Sequence, residues 1–350
     1  MSWTSGKIAK SLKLFAINIL VLVALFLVVE VAGRTYHMAT TENGNFFRPK
    51  LFISPWFTTL DRPRPIFSYV NKELHGTFNH ASEATPAKKP KNSIRIIAVG
   101  GSTTANNKAW RTAGIDYSSE LQRLLQQKFP DKAVEVLNAG GEGFSSAHSL
   151  VNLSTRLITF NPDLIIVMHN ANDRSVAYFG EEVFPDYANK YMHPTYLAPA
   201  IQKFDGWYGT LVQSRVLSSM GIAKIFAPRQ VVVPETISVE SHAFTEELFL
   251  RNMSFIANIA RSSDSRILFL SQPFDKNRMR KETTVDQVRY NSLVHDLSEE
   301  IQVPYFDMAT SFGSEARLFL DPIHYSPEGI RRFSELLTIP VITVLQKRRQ

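Results

Sequence analysis

Residues 94–104 read IRIIAVGGSTT. The run Ile94–Val99 is short, apolar and rich in β-branched residues, and Gly100-Gly101 closes it. It therefore predicts a strand covered on both faces. The same pattern returns along the chain as Ala133–Asn138 (AVEVLN, stopped by Gly140-Gly141), Leu164–Met168 (LIIVM), Arg266–Ser271 (RILFLS) and Val303–Phe306. Helical spacing between these runs predicts helices over Tyr117–Phe129, Ser145–Phe160, Phe244–Ser262 and Val285–Ile301. A last helix is predicted from Ser326-Pro327, with Ser as N-cap and Pro at the first helical position. It runs to Lys347-Arg348-Arg349, whose charges suit a helix C-terminus. Five strands alternating with helices predict a three-layer α/β/α fold on a five-stranded parallel sheet with right-handed crossovers. Ligands bind such sheets at the carboxyl ends of the strands. The residues that follow each strand are therefore the ones to read for chemistry.

The chain of 350 residues is 44% apolar and 20% charged, a globular composition that excludes a disordered or fibrous protein. It has no cysteine, which removes disulfides, thiolate metal sites and a cysteine nucleophile together. The net charge of +7 invites a nucleic-acid or membrane-surface reading. The charge is unevenly placed, however. Residues 1–95 hold 13 Lys and Arg against 5 Asp and Glu, and the rest of the chain holds 26 against 27. Nucleic-acid modules carry their basic stripe on the folded domain and announce themselves by helix-turn-helix, finger or RNA-motif signatures. None is present, so nucleic acid is not an expected partner.

The basic excess flanks an apolar run. Leu14–Ala32 is apolar apart from Asn18 and Glu30, long enough to span a hydrocarbon core, and preceded by Lys7, Lys10 and Lys13. This predicts residues 1–13 as a cytoplasmic N-terminus and 14–34 as a transmembrane anchor, with the remainder on the extracytoplasmic side. A cleaved signal peptide is the competing reading, against which stand the length of the run and the lack of an A-x-A site. Residues 35–92 are broken by prolines at 49, 55, 63, 65, 86 and 90, yet rich in aromatics. They predict an extended connector packed on the domain and ending in a linker at 84–91. The domain itself spans 93–350. Within it the alternation lapses over 174–241, a stretch rich in Tyr, Phe and Trp. A loop of that length predicts a functional insertion, read as a substrate-facing cap, or a satellite core, two compatible readings.

Four strand ends carry candidate chemistry. The first ends in Gly100-Gly101-Ser102, an exposed serine at a strand-to-helix turn beside backbone N–H groups. The second ends in Asn138-Ala-Gly-Gly-Glu-Gly143-Phe-Ser, whose glycines let an N–H donor approach a ligand. The third ends in His169-Asn170-Ala171-Asn172-Asp173, where an Asn amide is another oxyanion donor. Asp173 reads there as a helix cap and His169 as a satisfied structural histidine. The last is followed by Asp321-Pro-Ile-His324, a carboxylate three residues before an imidazole it can orient.

Taken in order, these blocks resemble the SGNH hydrolase superfamily, the GDSL-type esterases and lipases. GGST stands for the commoner GDS, NAGGEGFSS for the glycine block, NAND for G-x-N-D, and DPIH for D-x-x-H. The resemblance spans about residues 93–340 and implies a flavodoxin-like sheet. Gly101 replaces the usual Asp of the first block, as in several membrane-anchored members. Asn170 replaces the usual Gly of the third, a position where Asn tolerates left-handed backbone. The resemblance implies Ser102 as nucleophile, His324 as general base and Asp321 as its orienting carboxylate. It also implies an oxyanion hole from Ser102, Gly143 and Asn172, and no metal or organic cofactor. The expected function is hydrolysis of an O-acyl ester, O-acetyl first, on an envelope or secreted glycan or an acylated small molecule. An O-acyltransferase using the same site is the near alternative. A membrane-tethered scaffold with a degenerate site is the alternative from another class.

Overall fold

The computed structural model describes residues 3–40, 58–59, 62–63, 85, 88–179, 182–191 and 239–347. The chain divides into two compact units, Met1–Ile53 with Met192–Val232, and Ser54–Tyr191 with Val233–Gln350. In the first unit, helix α1 spans Trp3–Thr40. Its segment Lys13–Ala32 is 20 residues long and apolar enough to cross a membrane. At 1.5 Å per residue this is about 30 Å, the thickness of a hydrocarbon core. Its large side chains, among them Leu20, Leu22 and Val28, are exposed.

The second unit holds a five-stranded parallel sheet. Its strands are β1 (Ser93–Gly100), β2 (Ala133–Asn138), β3 (Leu164–Met168), β4 (Arg266–Leu270) and β5 (Tyr305–Phe306), in the order 2-1-3-4-5. Both central strands read as continuous apolar runs because helices cover both faces. Alternate residues feed two cores. Ile96, Ala98, Ile166 and Leu268 pack on one side with α4 (Tyr117–Lys128) and α11 (Pro327–Gln346). Ile97, Val99, Ile165 and Phe269 pack on the other with α5 (Ser146–Thr155), α8 (Val239–Ser262) and α9 (Lys281–Glu300). The one charge inside β1, Arg95, is fully buried and bonds Glu135 at 2.7 Å and the Phe160 carbonyl at 3.0 Å.

Several boundaries differ from the sequence expectation. The helix expected over 145–160 stops at Thr155, and Leu157–Phe160 continues as a 3₁₀ turn. Three residues per turn stack Leu157 and Phe160 so that both enter the core fully buried. Helix α8 starts at Val239, five residues before the expected Phe244, so the insertion ends inside it. The strand expected over 303–306 keeps only Tyr305–Phe306 in the ladder.

Of the insertion, the described part runs to Tyr191 and resumes at Val239. Within it Tyr187, Val183 and Val176 form a small core with Ala147 and Leu248, the satellite reading. Its other aromatics, Tyr196, Phe204, Trp207 and Tyr208, lie outside the described residues, as does most of the connector 35–92. At the connector's end Lys89 pairs with Asp163 at 2.5 Å, so the expected linker is fastened to the domain there.

Candidate active site

The four strand ends singled out in the sequence meet here, the second through Phe144 rather than Gly143. After β1, Gly101 caps the short helix α2 (Ser102–Ala105), which puts Ser102 at a helix's first position. After Phe319 the chain folds back on itself. The Leu320 N–H donates to the His324 carbonyl at 2.7 Å, and Phe319 bridges Tyr325. Ser326 then caps α11 by accepting the Gly329 N–H at 3.1 Å. Tyr325 is buried against Phe333, which anchors this loop in the core.

The result is a continuous relay. The His324 Nε2 lies 2.8 Å from Ser102 Oγ. The His324 Nδ1 lies 2.8 Å from both oxygens of Asp321. Asp321 Oδ1 also accepts the backbone N–H groups of His324 (2.9 Å) and Ile323 (3.1 Å), so the carboxylate is fixed before it meets the ring. Carboxylate oxygens on Nδ1 place a proton there and leave Nε2 as the acceptor facing Ser102.

One member of this group was not visible in the sequence. Lys108, on α3 (Asn107–Ala113), forms an ion pair with Asp321 Oδ2 and stands 3.3 Å from His324 Nδ1. An ammonium only donates, so it shares no proton with a ring nitrogen that is itself donating. Burial alone would raise the Asp321 carboxyl. The Lys108 ammonium and the two backbone N–H groups outweigh it and hold the group well below the usual carboxylate range.

The oxyanion side is built differently. Asn172 is in α6 (Ala171–Arg174), and its Nδ2 donates to the Phe144 carbonyl at 2.9 Å. A Cβ added at Gly101 would lie 2.8 Å from that same nitrogen. The amide nitrogen therefore rests against the residue that precedes Ser102, and Gly101 is glycine for want of space, at an ordinary φ of −83°. Gly143 has φ +73°, the left-handed region that favours glycine. It stands one residue before Phe144. The small cavity at Ser102 is lined by Gly101, Phe144, Asn170, Asn172, Gln272 and Ile323, among others, and not by Gly143. It leaves about 10 Å³ free, room for about one water. A larger groove of about 830 Å³ runs beside β5, walled by Phe274, Asn291, His295 and Tyr305, and touches none of Ser102, Asp321 or His324.

Asn170 departs from the left-handed conformation expected of it. Its φ is −171°, extended backbone that any residue adopts, so no glycine is required. Its Nδ2 donates to the Gln287 carbonyl and to Asn291 Oδ1, both at 2.8 Å. Asn291 in turn accepts the Gln272 N–H at 2.9 Å, so the third strand end is tied to α9. His169 is fully buried, with Nε2 on the Ser149 hydroxyl at 2.8 Å. Burial, with His148 nearby, pushes its pKa down to about 3, so it is the satisfied, neutral histidine that was expected. Asp173 is a cap, though for another helix: it accepts the Ser146 N–H at 3.0 Å, at the start of α5. Among the described residues, no group of three or more His, Cys, Asp or Glu is placed to hold a metal ion.

No curated protein matches the chain. Among solved structures it is similar to Axe2, an acetylxylan esterase from Geobacillus stearothermophilus, at 14% identity and a TM-score of 0.45, over 74% of this chain and 98% of that one. It is also similar to LAE5, an alpha/beta hydrolase enzyme from the metagenome of Lake Arreo, Spain, at 12% identity and a TM-score of 0.44, over 72% and 94%. The model of the GDSL-like lipase/acylhydrolase family matches residues 98–332, from inside β1 to the first turns of α11. That match takes in all four blocks, and the chain belongs to the GDSL-like lipase/acylhydrolase family, the SGNH ester hydrolases.

Proposed function

We propose that this protein is a serine esterase that removes short O-acyl groups, O-acetyl first, from an envelope or secreted glycan. The observation that carries this reading is the unbroken relay from Ser102 Oγ through His324 to Asp321, each link 2.8 Å. Ser102 Oγ attacks the ester carbonyl while His324 Nε2 takes the hydroxyl proton. Asp321 keeps the ring's tautomer and balances the imidazolium charge. The negative oxygen of the tetrahedral intermediate meets the Ser102 N–H and the second N–H of the Asn172 amide. Gly143, read from the sequence as the third donor, sits on the adjoining turn. Each such donor contributes about 3–4 kcal/mol to the transition state. Collapse breaks the C–O bond, and the alcohol leaves with the proton from His324. Water then repeats the cycle on the acyl-serine and releases the acid.

The acyl preference follows from room. The small cavity beside Ser102, about 10 Å³, favours an acetyl methyl. The location follows from α1: an apolar span behind Lys7, Lys10 and Lys13 favours an anchor that leaves the catalytic domain on the extracytoplasmic side. A complete relay speaks against a scaffold with a degenerate site.

The test uses the full-length protein in detergent micelles, with a fluorophosphonate probe and p-nitrophenyl esters of two to twelve carbons. Labelling and acetate turnover that vanish in Ser102→Ala and His324→Ala are expected, with rates falling steeply beyond four carbons. A silent wild-type protein would sink the reading. Turnover that rises with chain length would sink its acyl preference.

A further inference from the structure

We propose that Lys190 is a positioning residue that sets which way the Asn172 amide faces, and so holds its N–H toward the developing oxyanion. The proposal rests on the esterase reading given above. Lys190 lies on α7 (Ala188–Tyr191), in the segment between β3 and α8 where the sequence showed only an aromatic-rich lapse. Its side chain is fully buried. Its Nζ donates to the Asn172 carbonyl at 2.6 Å and reaches the Asn172 side-chain oxygen at 3.4 Å.

Donors and acceptors decide which way the amide faces. A lysine ammonium has three donors and no acceptor. Turned the other way, the Asn172 amide would set its NH₂ against that ammonium, donor against donor, with like charge facing like. Lys190 therefore keeps Oδ1 toward itself and Nδ2 toward Phe144 and Gly101. One N–H of Nδ2 is used by the Phe144 carbonyl, and the other remains for a ligand at Ser102. A positive charge behind the amide oxygen also polarises the amide and strengthens its N–H as a donor.

A buried ammonium is costly unless paired. Asp173, the next residue along α6, is equally buried; burial lowers the Lys190 pKa to about 7, and the Asp173 charge offsets only part of that fall. Asp173 is itself steadied by Ser146, whose N–H donates at 3.0 Å, and Asn252 donates to the Ser146 hydroxyl at 3.1 Å. Arg174, Tyr187, Tyr290 and the buried His169, whose Nδ1 lies 3.7 Å from Asp173 Oδ2, also face the pair. A merely structural Lys190 would do no more than neutralise Asp173. The contacts to Asn172 are what a positioning role adds.

A double-mutant cycle with Asn172→Ala, on the full-length protein with p-nitrophenyl acetate, separates the two. Lys190→Met is made alone and, because it strands a buried carboxylate, also as the charge-neutral pair Asp173→Asn/Lys190→Met. Expected for either folded variant is a kcat reduced about 100-fold with KM within about twofold. Asn172→Ala added to that background should cost less than about threefold more, because the amide is already misdirected. Lys190→Arg, which keeps a donor-only cation, should recover most of kcat if it packs. The proposal is overturned if the folded variants keep wild-type kcat, or if the Lys190 and Asn172 penalties simply multiply, while Ser102→Ala remains inactive. Absence of activity in the wild-type protein removes the esterase reading and this proposal together.

Discussion

The two halves of the site are built on opposite plans. On the relay side Asp321 and His324 lie in a surface loop with Lys108 of α3 beside them: Lys108 is half exposed, and the Asp321 side chain retains 29% of its accessible surface. The oxyanion side, Asn170 to Asp173 with Lys190, is packed among buried polar groups whose bonds run to α5, α8 and α9. The lesson lies in how each half is kept in place. The Asp321/His324 pair is held by short-range bonds inside four residues and tolerates water. The oxyanion side is held by partners from distant segments, and in that dry setting each bond is stronger and each loss costs more.

This contrast can be broken in a graded series. The largest effect is expected within the relay. Asp321→Asn keeps the loop's shape but permits the wrong tautomer of His324, and kcat should fall about 10⁴-fold with KM little changed, by steady-state kinetics. A loss below tenfold would mean that the carboxylate does not orient the ring. Next comes Gly101→Ala. Its methyl would sit 2.8 Å from Asn172 Nδ2, so kcat should fall about 100-fold while thermal unfolding stays close to wild type. Unchanged kcat would show that the amide has no part in the reaction.

Asn170→Gly tests the other half through stability. It removes two bonds to α9 without changing a strained backbone, so unfolding in denaturant should report a loss of about 1–3 kcal/mol. If stability instead rises, the Asn side chain is not what ties this strand end down.

The smallest effect is expected at Lys108. Its ion pair is half in solvent, so Lys108→Met should change kcat/KM less than tenfold. It should show in acid unfolding. The Asp321 carboxyl is depressed in the folded state, so its contribution is complete above the unfolded carboxylate range and is lost as pH falls through the lowered value. Removing Lys108 raises that value, and the acid transition should move to higher pH. A transition that stays put or moves lower would show that the ammonium does not hold the carboxyl down.

The same contrast explains what the sequence disclosed. Strands β2 and β3 were read to the residue because a parallel strand buried on both faces leaves an uninterrupted apolar run between turn residues. Ser102 and the Asp321/His324 pair were legible because local spacing builds them. Lys108 and Lys190 were not. A lysine in a helix reads as a solvated charge, and their partners lie 213 and 18 residues away along the chain. The break at Arg156 and the extended backbone of Asn170 were missed for a related reason. Each is decided by packing against another element, which no window of neighbouring residues contains.

Gly101 has a consequence for how such a chain can change. The commoner first block places an aspartate where the Asn172 amide now presses on a bare Cα. A side chain at 101 and the amide at 172 therefore compete for one space, so substitutions at the two positions are coupled: a change at either is read only against what the other holds.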